Sequence, residues 1–201
     1  MSGHYIALEG IEGAGKSTVA ERLVAALEAT GISVLGVREP GGTAAGERIR
    51  EILLDPAAVL TPWAEALLFA AARSQLAHEE VRAALDAGTW VVGDRSVYSS
   101  LAYQGAGRKL GVPEVRAVNE FGLDQVWPDL VILLEVDPAT GLARQKVPDR
   151  IGAEGFGFQA IVAQAFVEMA AAEPDRFYIV DAEVGVDAVV AAIMGEIEAR
   201  W

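Results

Sequence analysis

The segment from residue 9 to residue 18 reads EGIEGAGKST and directly follows the apolar run YIAL. Four of its residues match the pattern G-x-x-x-x-G-K-S/T, which places a phosphate-binding loop between a strand and a helix. Glycines let backbone N–H groups turn towards a phosphate chain, and the N-terminus of the following helix adds partial positive charge. We therefore predict a nucleoside triphosphate site. Its nucleotide-binding residues are Gly10, Glu12, Gly13, Ala14, Gly15, Lys16, Ser17 and Thr18.

Strands and helices alternate along the chain, which predicts an α/β fold. Apolar segments begin at Tyr5, Ser33, Trp90, Leu130 and Phe177, and several lack polar alternation, as expected of strands covered on both faces. Helical spacing follows the glycine loop over 16–29 and runs again from Thr61 to Gly88. This order predicts a three-layer P-loop NTPase fold with a five-stranded parallel sheet. The stretches 105–113 and 146–157 are rich in glycine or charge and are expected to be mobile loops.

The length, composition and net charge of the sequence exclude several classes of protein. With 201 residues, 52% of them hydrophobic, the chain is expected to form one ordered domain over 1–201. No apolar run approaches the roughly 20 residues of a membrane helix, and no secretory signal segment is present, so we expect a cytoplasmic protein without a membrane partner. There is no cysteine for a disulfide or a thiolate site. A net charge of −13 argues against polymeric nucleic acid as a partner.

Two further motifs are expected at the same edge of the sheet as the glycine loop. Asp94 ends the apolar strand WVVGD and is a candidate Mg²⁺ ligand together with the Ser17 hydroxyl. Arg95 follows it, and Arg38 begins the segment REPGGT at the end of the second strand. Parallel α/β sheets bind ligands outside the carboxyl ends of their strands. Two arginines facing a phosphate loop favour a phosphate acceptor over a water nucleophile.

The sequence resembles the bacterial thymidylate kinase family over nearly its whole length. The resemblance rests on EGIEGAGKST, REPGGT, LLFAAARSQ, DRSVYSSLAYQG, PDLVILLEVDP and DRI, in the family's order and close to its spacing. It implies transfer of the γ-phosphoryl group of ATP to dTMP, with Mg²⁺ as cofactor. It also implies a lid segment over the triphosphate, here about 142–157, and a homodimer.

The resemblance assigns a role to each matching residue. Arg38 and Arg95 would clamp the acceptor phosphate, Phe69 would stack on thymine, and Arg73 would contact the base. Glu12 would lie near the sugar 3′-hydroxyl. The remaining acceptor residues, expected around the sugar and base, are Ser99, Ser100, Tyr103 and Gln104. A helix-cap role is an equal alternative for each of the two serines. The implied catalytic residues are Lys16, Arg95, Arg150 and Arg144.

The lid departs from the family pattern. The segment LARQKVPDRIG is a few residues short, and its cations are Arg144, Lys146 and Arg150. Arg150 is the first candidate for contact with the transferring group and Arg144 the second. The helix that follows has Ile161, Ala163 and Phe166 where the family carries arginines and a tyrosine. Because an arginine in the transition state can contribute about 10³-fold or more to the rate, we expect an active but slow enzyme, or a paralogue with an altered substrate.

Other functions remain open at this point. A kinase of another deoxynucleoside monophosphate would use the same arginines, whereas a deoxynucleoside acceptor would need a carboxylate base, for which Glu12 or Glu39 could be argued. A catalytically weakened paralogue acting as a nucleotide-binding protein is a further alternative. A GTPase switch would carry a guanine-reading N-K-x-D segment, and the sequence contains none.

Overall fold

A computed structural model describes residues 3–145 and 149–201. Its centre is one sheet of five parallel strands in the order β2-β3-β1-β4-β5. The strands are β1 (Tyr5–Glu9), β2 (Val34–Arg38), β3 (Trp90–Asp94), β4 (Leu130–Glu135) and β5 (Phe177–Asp181). The predicted sheet is therefore confirmed, and the strand ends differ from the expected ones by no more than one residue.

Helices cover both faces of the sheet. They are α1 (Lys16–Ala29), α2 (Ala44–Leu54), α3 (Pro62–Leu76), α4 (Arg82–Asp86), α5 (Val97–Ser100), α6 (Val112–Leu123), α7 (Pro138–Arg144), α8 (Phe156–Ala172) and α9 (Val186–Arg200). Helix α1 packs against α9 and β2, while α3, α6 and α8 pack around the segment that follows α5. Strand β1 is buried along its whole length, and each fully buried large aliphatic side chain contributes about 1.5–3 kcal/mol to folding.

The helical segment predicted from Thr61 to Gly88 begins as expected but is not one regular helix, and α2, which precedes it, was not predicted. Thr61 caps α3 by accepting a hydrogen bond from the amide of Ala64, and Pro62 occupies the first helical position. The helix then widens into a π-helical turn over Ala77–Val81 before α4 completes it. Thr89 follows and leads into β3.

The expectation of a mobile loop over 105–113 is wrong for most of that stretch. A π-helical segment, Leu101–Gly107, continues α5, and α6 already begins at Val112. Gly105 packs closely against the start of α6, since a Cβ at Gly105 would be 3.0 Å from Val112 Cα. Tyr103 and Gln104 of this π-helical segment are buried, and both lie towards the carboxyl edge of the sheet.

The lid expected over 142–157 is described only in part. Helix α7 ends at Arg144, and a 3₁₀ turn over Gly152–Glu154 leads into α8. Lys146, one of the three expected lid cations, lies outside the described residues. None of the helices within 3–145 and 149–201 is both long and apolar enough to cross a membrane. The cytoplasmic location stays a prediction.

Candidate active site

The glycine loop adopts the conformation that the motif requires. Gly10, Gly13 and Gly15 have φ values of 143°, 76° and 89°, which disfavour any residue with a Cβ. A Cβ at Gly13 would in addition clash with the carbonyl oxygen of Gly141 at the middle of α7. Helix α1 starts at Lys16 with no side-chain cap and no acidic residue in its first turn. Its N-terminal amides are thus available to an anion.

Lys16 is buried above this loop. Its ammonium group donates to the carbonyl oxygens of Gly10 and Ile11 over 3.1 and 2.7 Å. Burial, assisted by the charge of Arg95, lowers the pKa of Lys16 to about 8. A polyphosphate bound beside Lys16 would therefore stabilise its charged form.

Ser17 and Asp94 meet where α1 begins and β3 ends. The Ser17 hydroxyl donates to Asp94 Oδ2 over 2.5 Å. Both groups offer oxygen ligands, which Mg²⁺ prefers. The described residues contain no group of three or more acidic, histidine or cysteine side chains that would form an all-protein metal cage. A pair of oxygen ligands beside a phosphate loop fits a magnesium ion that keeps waters and nucleotide oxygens in its coordination sphere.

A cavity of about 390 Å³ connects the glycine loop to the predicted acceptor residues. The predicted acceptor residues along its wall are Glu12, Arg38, Phe69, Arg73, Arg95, Ser99, Ser100, Tyr103 and Gln104. Lys16, Ser17 and Asp94 line the same space. The cavity thus contains all the predicted acceptor residues and the predicted nucleotide-binding residues other than Gly10 and Ala14. Arg50 and Asp149 also line it. Arg50 lies in no motif selected from the sequence, and Asp149 begins the DRI motif but was given no role there.

Arg95 is held on the wall between the two halves of the cavity. Its φ of 75° is in the left-handed region, an unusual conformation for a residue with a side chain. The guanidinium forms an ion pair with Glu12 and donates to Ser99 Oγ over 3.1 Å. It also lies 5.1 Å from the centre of the Tyr103 ring. These contacts fix the orientation of the Arg95 guanidinium.

Arg38 is at the open side of the cavity. Its guanidinium is about half exposed and donates to Glu47 over 3.0 and 3.3 Å. Glu47 also accepts from the amide of Gly42 in the REPGGT turn. Arg38 can therefore exchange an exposed carboxylate for another anion with little change in burial.

Arg73 lies at the closed end of the cavity and is only 2% exposed. It donates to Glu39 Oε2 over 2.6 Å, to Asn119 Oδ1 over 2.5 Å and to the Ser96 carbonyl over 3.2 Å. Three of the five N–H groups of the guanidinium are thereby used, and two remain for a ligand. Neither Glu39 nor Asn119 was selected as a partner of Arg73 from the sequence, because they are 34 and 46 residues away from it.

The serines that follow Arg95 have different surroundings. Ser96 caps α5, and Ser99 Oγ both donates to Glu9 and accepts from Arg95. The Ser100 hydroxyl is buried beside the cavity without a partner among the described residues. Glu9 accepts four hydrogen bonds from Ser96 and Ser99, and burial raises its pKa although these bonds oppose the shift. The helix cap is thus Ser96, and Ser100 is left free for a ligand.

A model of the thymidylate kinase family matches residues 8–193. The chain belongs to the thymidylate kinase family. A protein named thymidylate kinase from Bifidobacterium longum is 46% identical over 203 residues, covering 98% of each chain. The thymidylate kinase of Deinococcus radiodurans is 45% identical with the same coverage of both chains. That of Bacillus licheniformis is 41% identical and covers 98% of this chain and 96% of its own.

Within this thymidylate kinase fold, the two arginines of the predicted lid occupy different environments. Arg150 is largely buried and donates to the Leu53 carbonyl over 2.8 Å and to Glu65 Oε2 over 2.7 Å. Its Nη2 group is buried with no partner in 3–145 or 149–201. Arg144 is exposed and makes a long contact of 3.4 Å with the Ala182 carbonyl. Neither residue is part of the cavity wall, so their catalytic assignment stays a prediction.

Proposed function

We propose that this member of the thymidylate kinase family transfers the γ-phosphoryl group of ATP to dTMP, giving dTDP and ADP. The observation that carries the proposal is the single cavity that joins the glycine loop to Arg38, Arg95, Arg73 and Gln104. A donor phosphate chain on the loop and an acceptor phosphate near the first two arginines would face each other across it.

The closed end of the cavity favours a base with a particular hydrogen-bonding edge. Arg73 offers N–H donors there, and Phe69, one helical turn before it, lines the same wall. Gln104 donates its Nε2 to Glu65 over 2.9 Å, which leaves its Oε1 as an acceptor. A thymine presents a carbonyl oxygen next to an N3–H donor and complements this pair. Cytosine presents the opposite pattern.

The environments of the carboxylates favour a phosphate acceptor over a nucleoside hydroxyl. A hydroxyl would need a general base, yet Glu12 is paired with Arg95 and Glu39 with Arg73. Burial opposes the shift, but the charge of Arg95 lowers the pKa of Glu12 and makes it a weak base. Burial raises the pKa of Glu39, but its Oε2 already accepts a hydrogen bond from Arg73. A phosphate oxygen of dTMP is already ionised at neutral pH and needs no base. The residues then act by alignment and by neutralising charge, which are the main contributions to phosphoryl transfer.

The roles of individual side chains follow from their positions. Lys16 would bind the outer phosphates of ATP, and Arg38 and Arg95 would bind the acceptor phosphate through bidentate contacts. Glu12, oriented by Arg95, would accept a hydrogen bond from the sugar. Ser17 and Asp94 would hold Mg²⁺, which when bound neutralises charge on the phosphate oxygens. The lid would exclude water from the closed cavity.

We also propose a homodimer formed through the outer side of adjacent helices α2, α3 and α6. Large apolar side chains are exposed there: Ile52, Trp63, Leu67 and Phe121. Phe121 is 93% exposed, an unfavourable position for a phenyl ring in a monomer. A cluster of this kind marks an interaction surface in a soluble protein.

The reaction is tested by measuring ADP release from ATP with dTMP, dUMP, dCMP, thymidine or no acceptor. We expect release with dTMP, weaker release with dUMP because it lacks the methyl group, and little with dCMP or thymidine. Release that does not depend on an acceptor would contradict a kinase function. Faster release with thymidine than with dTMP would contradict the role of Arg38 and Arg95.

A further inference from the structure

Glu65 is a buried carboxylate that lies behind the acceptor end of the cavity. It is on α3, and only 1% of its surface is exposed. Its two oxygens accept from Gln104 Nε2 at 2.9 Å, from Arg108 Nε and Nη2 at 3.1 Å each, and from Arg150 Nη1 at 2.7 Å. Glu65 is not part of the cavity wall, whereas Gln104 is.

The chemistry of these groups determines the orientation of the Gln104 amide. A side-chain amide can present either its oxygen or its nitrogen to a neighbour, but an ionised carboxylate only accepts hydrogen bonds. Burial alone would raise the pKa of Glu65, but hydrogen bonds from Arg108, Gln104 and Arg150 outweigh it and lower the pKa. Glu65 is therefore ionised at neutral pH, and Gln104 must direct its nitrogen towards it. No donor within 3–145 or 149–201 contacts Gln104 Oε1.

We propose that Glu65 is a positioning residue for base selection, which acts by holding the Gln104 amide with its oxygen towards the acceptor base. The proposal rests on the proposed function, in which Gln104 meets the base edge. Glu65 touches neither substrate. It excludes the alternative amide orientation, in which an N–H group would face the base and match the N3 acceptor of a cytosine.

The surroundings of Glu65 explain how a charge can be kept at this depth. A buried carboxylate is tolerated when cations and hydrogen bonds compensate it. Arg108 and Arg150 provide two positive charges, and Arg108 is further held by Glu154 and by the ring of Phe158, whose centre is 4.9 Å away. A neutral glutamine at this position would be nearly isosteric but would no longer be an acceptor on both atoms.

Glu65→Gln is the most direct variant, and its effect on Gln104 can be derived. The Glu65 Oε2 position faces two arginine donors, from Arg108 and Arg150, whereas the Oε1 position faces Gln104 and one donor of Arg108. The new side chain would keep its oxygen towards the two arginine donors and turn its nitrogen towards Gln104. Gln104 would then reverse and present its nitrogen to the base.

The measurement is kcat and KM for dTMP and for dCMP, with dissociation constants from calorimetry. We expect Glu65→Gln to lower the ratio of kcat/KM for dTMP to that for dCMP by about tenfold or more. Most of the change should be in the KM for dTMP, with the KM for ATP unchanged. Gln104→Ala should lower the same ratio, and Glu65→Gln added to Gln104→Ala should lower it no further. A lower ratio in the double variant than in Gln104→Ala would mean that Glu65 does not act through Gln104. That result would overturn the proposal.

A charge-balanced pair of variants keeps the test valid if Glu65→Gln folds poorly. Arg108→Gln alone keeps the Glu65 carboxylate. It should leave the ratio of kcat/KM for dTMP to that for dCMP unchanged. Arg108→Gln combined with Glu65→Gln removes one positive and one negative charge. It should lower this ratio as Glu65→Gln does. Loss of the ratio already in Arg108→Gln would assign the effect to the packing of the cluster and would overturn the proposal.

Glu173→Gln is a control for general destabilisation that is matched to Glu65 in its types of partner, although Glu173 is less buried. Glu173 accepts from one neutral donor, Tyr98, and pairs with two arginines, Arg116 and Arg176, away from the cavity. It should lower the melting temperature without changing the ratio.

If Gln104→Ala leaves the ratio unchanged, the proposed base contact itself is wrong. If Gln104→Ala lowers it and Glu65→Gln does not, only the role of Glu65 is wrong.

Discussion

Arg73 and Glu39 form a buried ion pair in which Arg73 Nε lies 2.6 Å from Glu39 Oε2. The pair connects α3 to the turn after β2, and so fixes the base side of the cavity relative to the sheet. Burial raises the pKa of Glu39, and the charge of Arg73 opposes this shift. Removing either partner would leave the other one buried without compensation, which typically costs about 3–5 kcal/mol.

Arg73→Ala should raise the KM for dTMP by about tenfold or more and leave the KM for ATP nearly unchanged. The substitution removes the donors at the closed end of the cavity, far from the glycine loop. Steady-state kinetics with each substrate varied in turn measures the two constants. Arg82→Ala is a suitable control, because Arg82 is exposed, pairs with Asp124 and does not line the cavity. Equal increases in both KM values would show that Arg73 is not a base contact.

Lys16 should make ATP binding depend on pH above neutrality. Its pKa of about 8 in the free protein is below its ordinary value of 10.5, mainly because of burial. Between these two pH values the unfolded chain binds more protons, so the contribution of Lys16 to the stability of the free protein increases as the pH rises. A bound polyphosphate favours the ammonium form. ATP binding at pH 8 should therefore take up about half a proton through this group.

The proton uptake is measured by calorimetry in buffers of different ionisation enthalpy. Lys16→Arg is the control, because arginine keeps its charge over this pH range. It should bind ATP with less proton uptake than the unmodified protein. The same uptake in both proteins would assign the titration to another group.

Asp94→Asn should weaken the binding of Mg²⁺ more than it weakens nucleotide binding itself. Asparagine keeps the size of the side chain and can still contact Ser17, but it removes the negative charge from the proposed metal site. We expect about a 10–100-fold higher Mg²⁺ requirement, the usual range for altered metal surroundings. Titration of activity with Mg²⁺ at saturating nucleotide measures this. An unchanged Mg²⁺ requirement would argue that the ion is held elsewhere.

The sequence predicted the sheet and most of the cavity because both depend on local patterns. An apolar strand followed by the glycine loop defines β1 and the start of α1, and strands that end in Arg38 and Asp94 must meet at one edge of a parallel sheet. The turn around Gly105 was interpreted as a loop because glycine is typical of loops. Its helical conformation depends on packing against Val112, which the local sequence does not reveal.

The residues that orient the site were missed for a different reason. Asn119 and Glu65 reach Arg73 and Gln104 from positions that are 46 and 39 residues away, and a single sequence gives no pairing of such distant positions. One signal was nevertheless present. Glu65 is a lone charge in the apolar stretch PWAEALLFA, and a carboxylate on a buried helical face is normally paired.

Arg150→Met should lower kcat by about 10³-fold if this arginine reaches the transferring group, as the resemblance to the family implies. Its Nη1 group could stay on Glu65 while the buried Nη2, without a partner among the described residues, turned towards the phosphoryl group. Rapid-quench kinetics would separate the chemical step from product release. Arg144→Met gives the comparison for the second lid candidate. A lower melting temperature with kcat within twofold of the unmodified enzyme would make Arg150 an anchor of the lid and not a catalytic residue.

Phe121→Asp should convert the protein from a dimer to a monomer. The ring is 93% exposed on α6, which packs against α3, the helix that carries the exposed Leu67. A specific dimer commonly buries about 800 Å² on each subunit. A charge in the middle of such a surface would be desolvated without a partner, which opposes association. Light scattering after size-exclusion chromatography should give twice the chain mass of 21.2 kDa for the unmodified protein and a single chain mass for the variant. Ile179→Asp, on the exposed side of the edge strand β5, is the control and should remain dimeric. A monomeric mass for the unmodified protein would contradict the dimer, and a dimeric Phe121→Asp would place the interface on another surface.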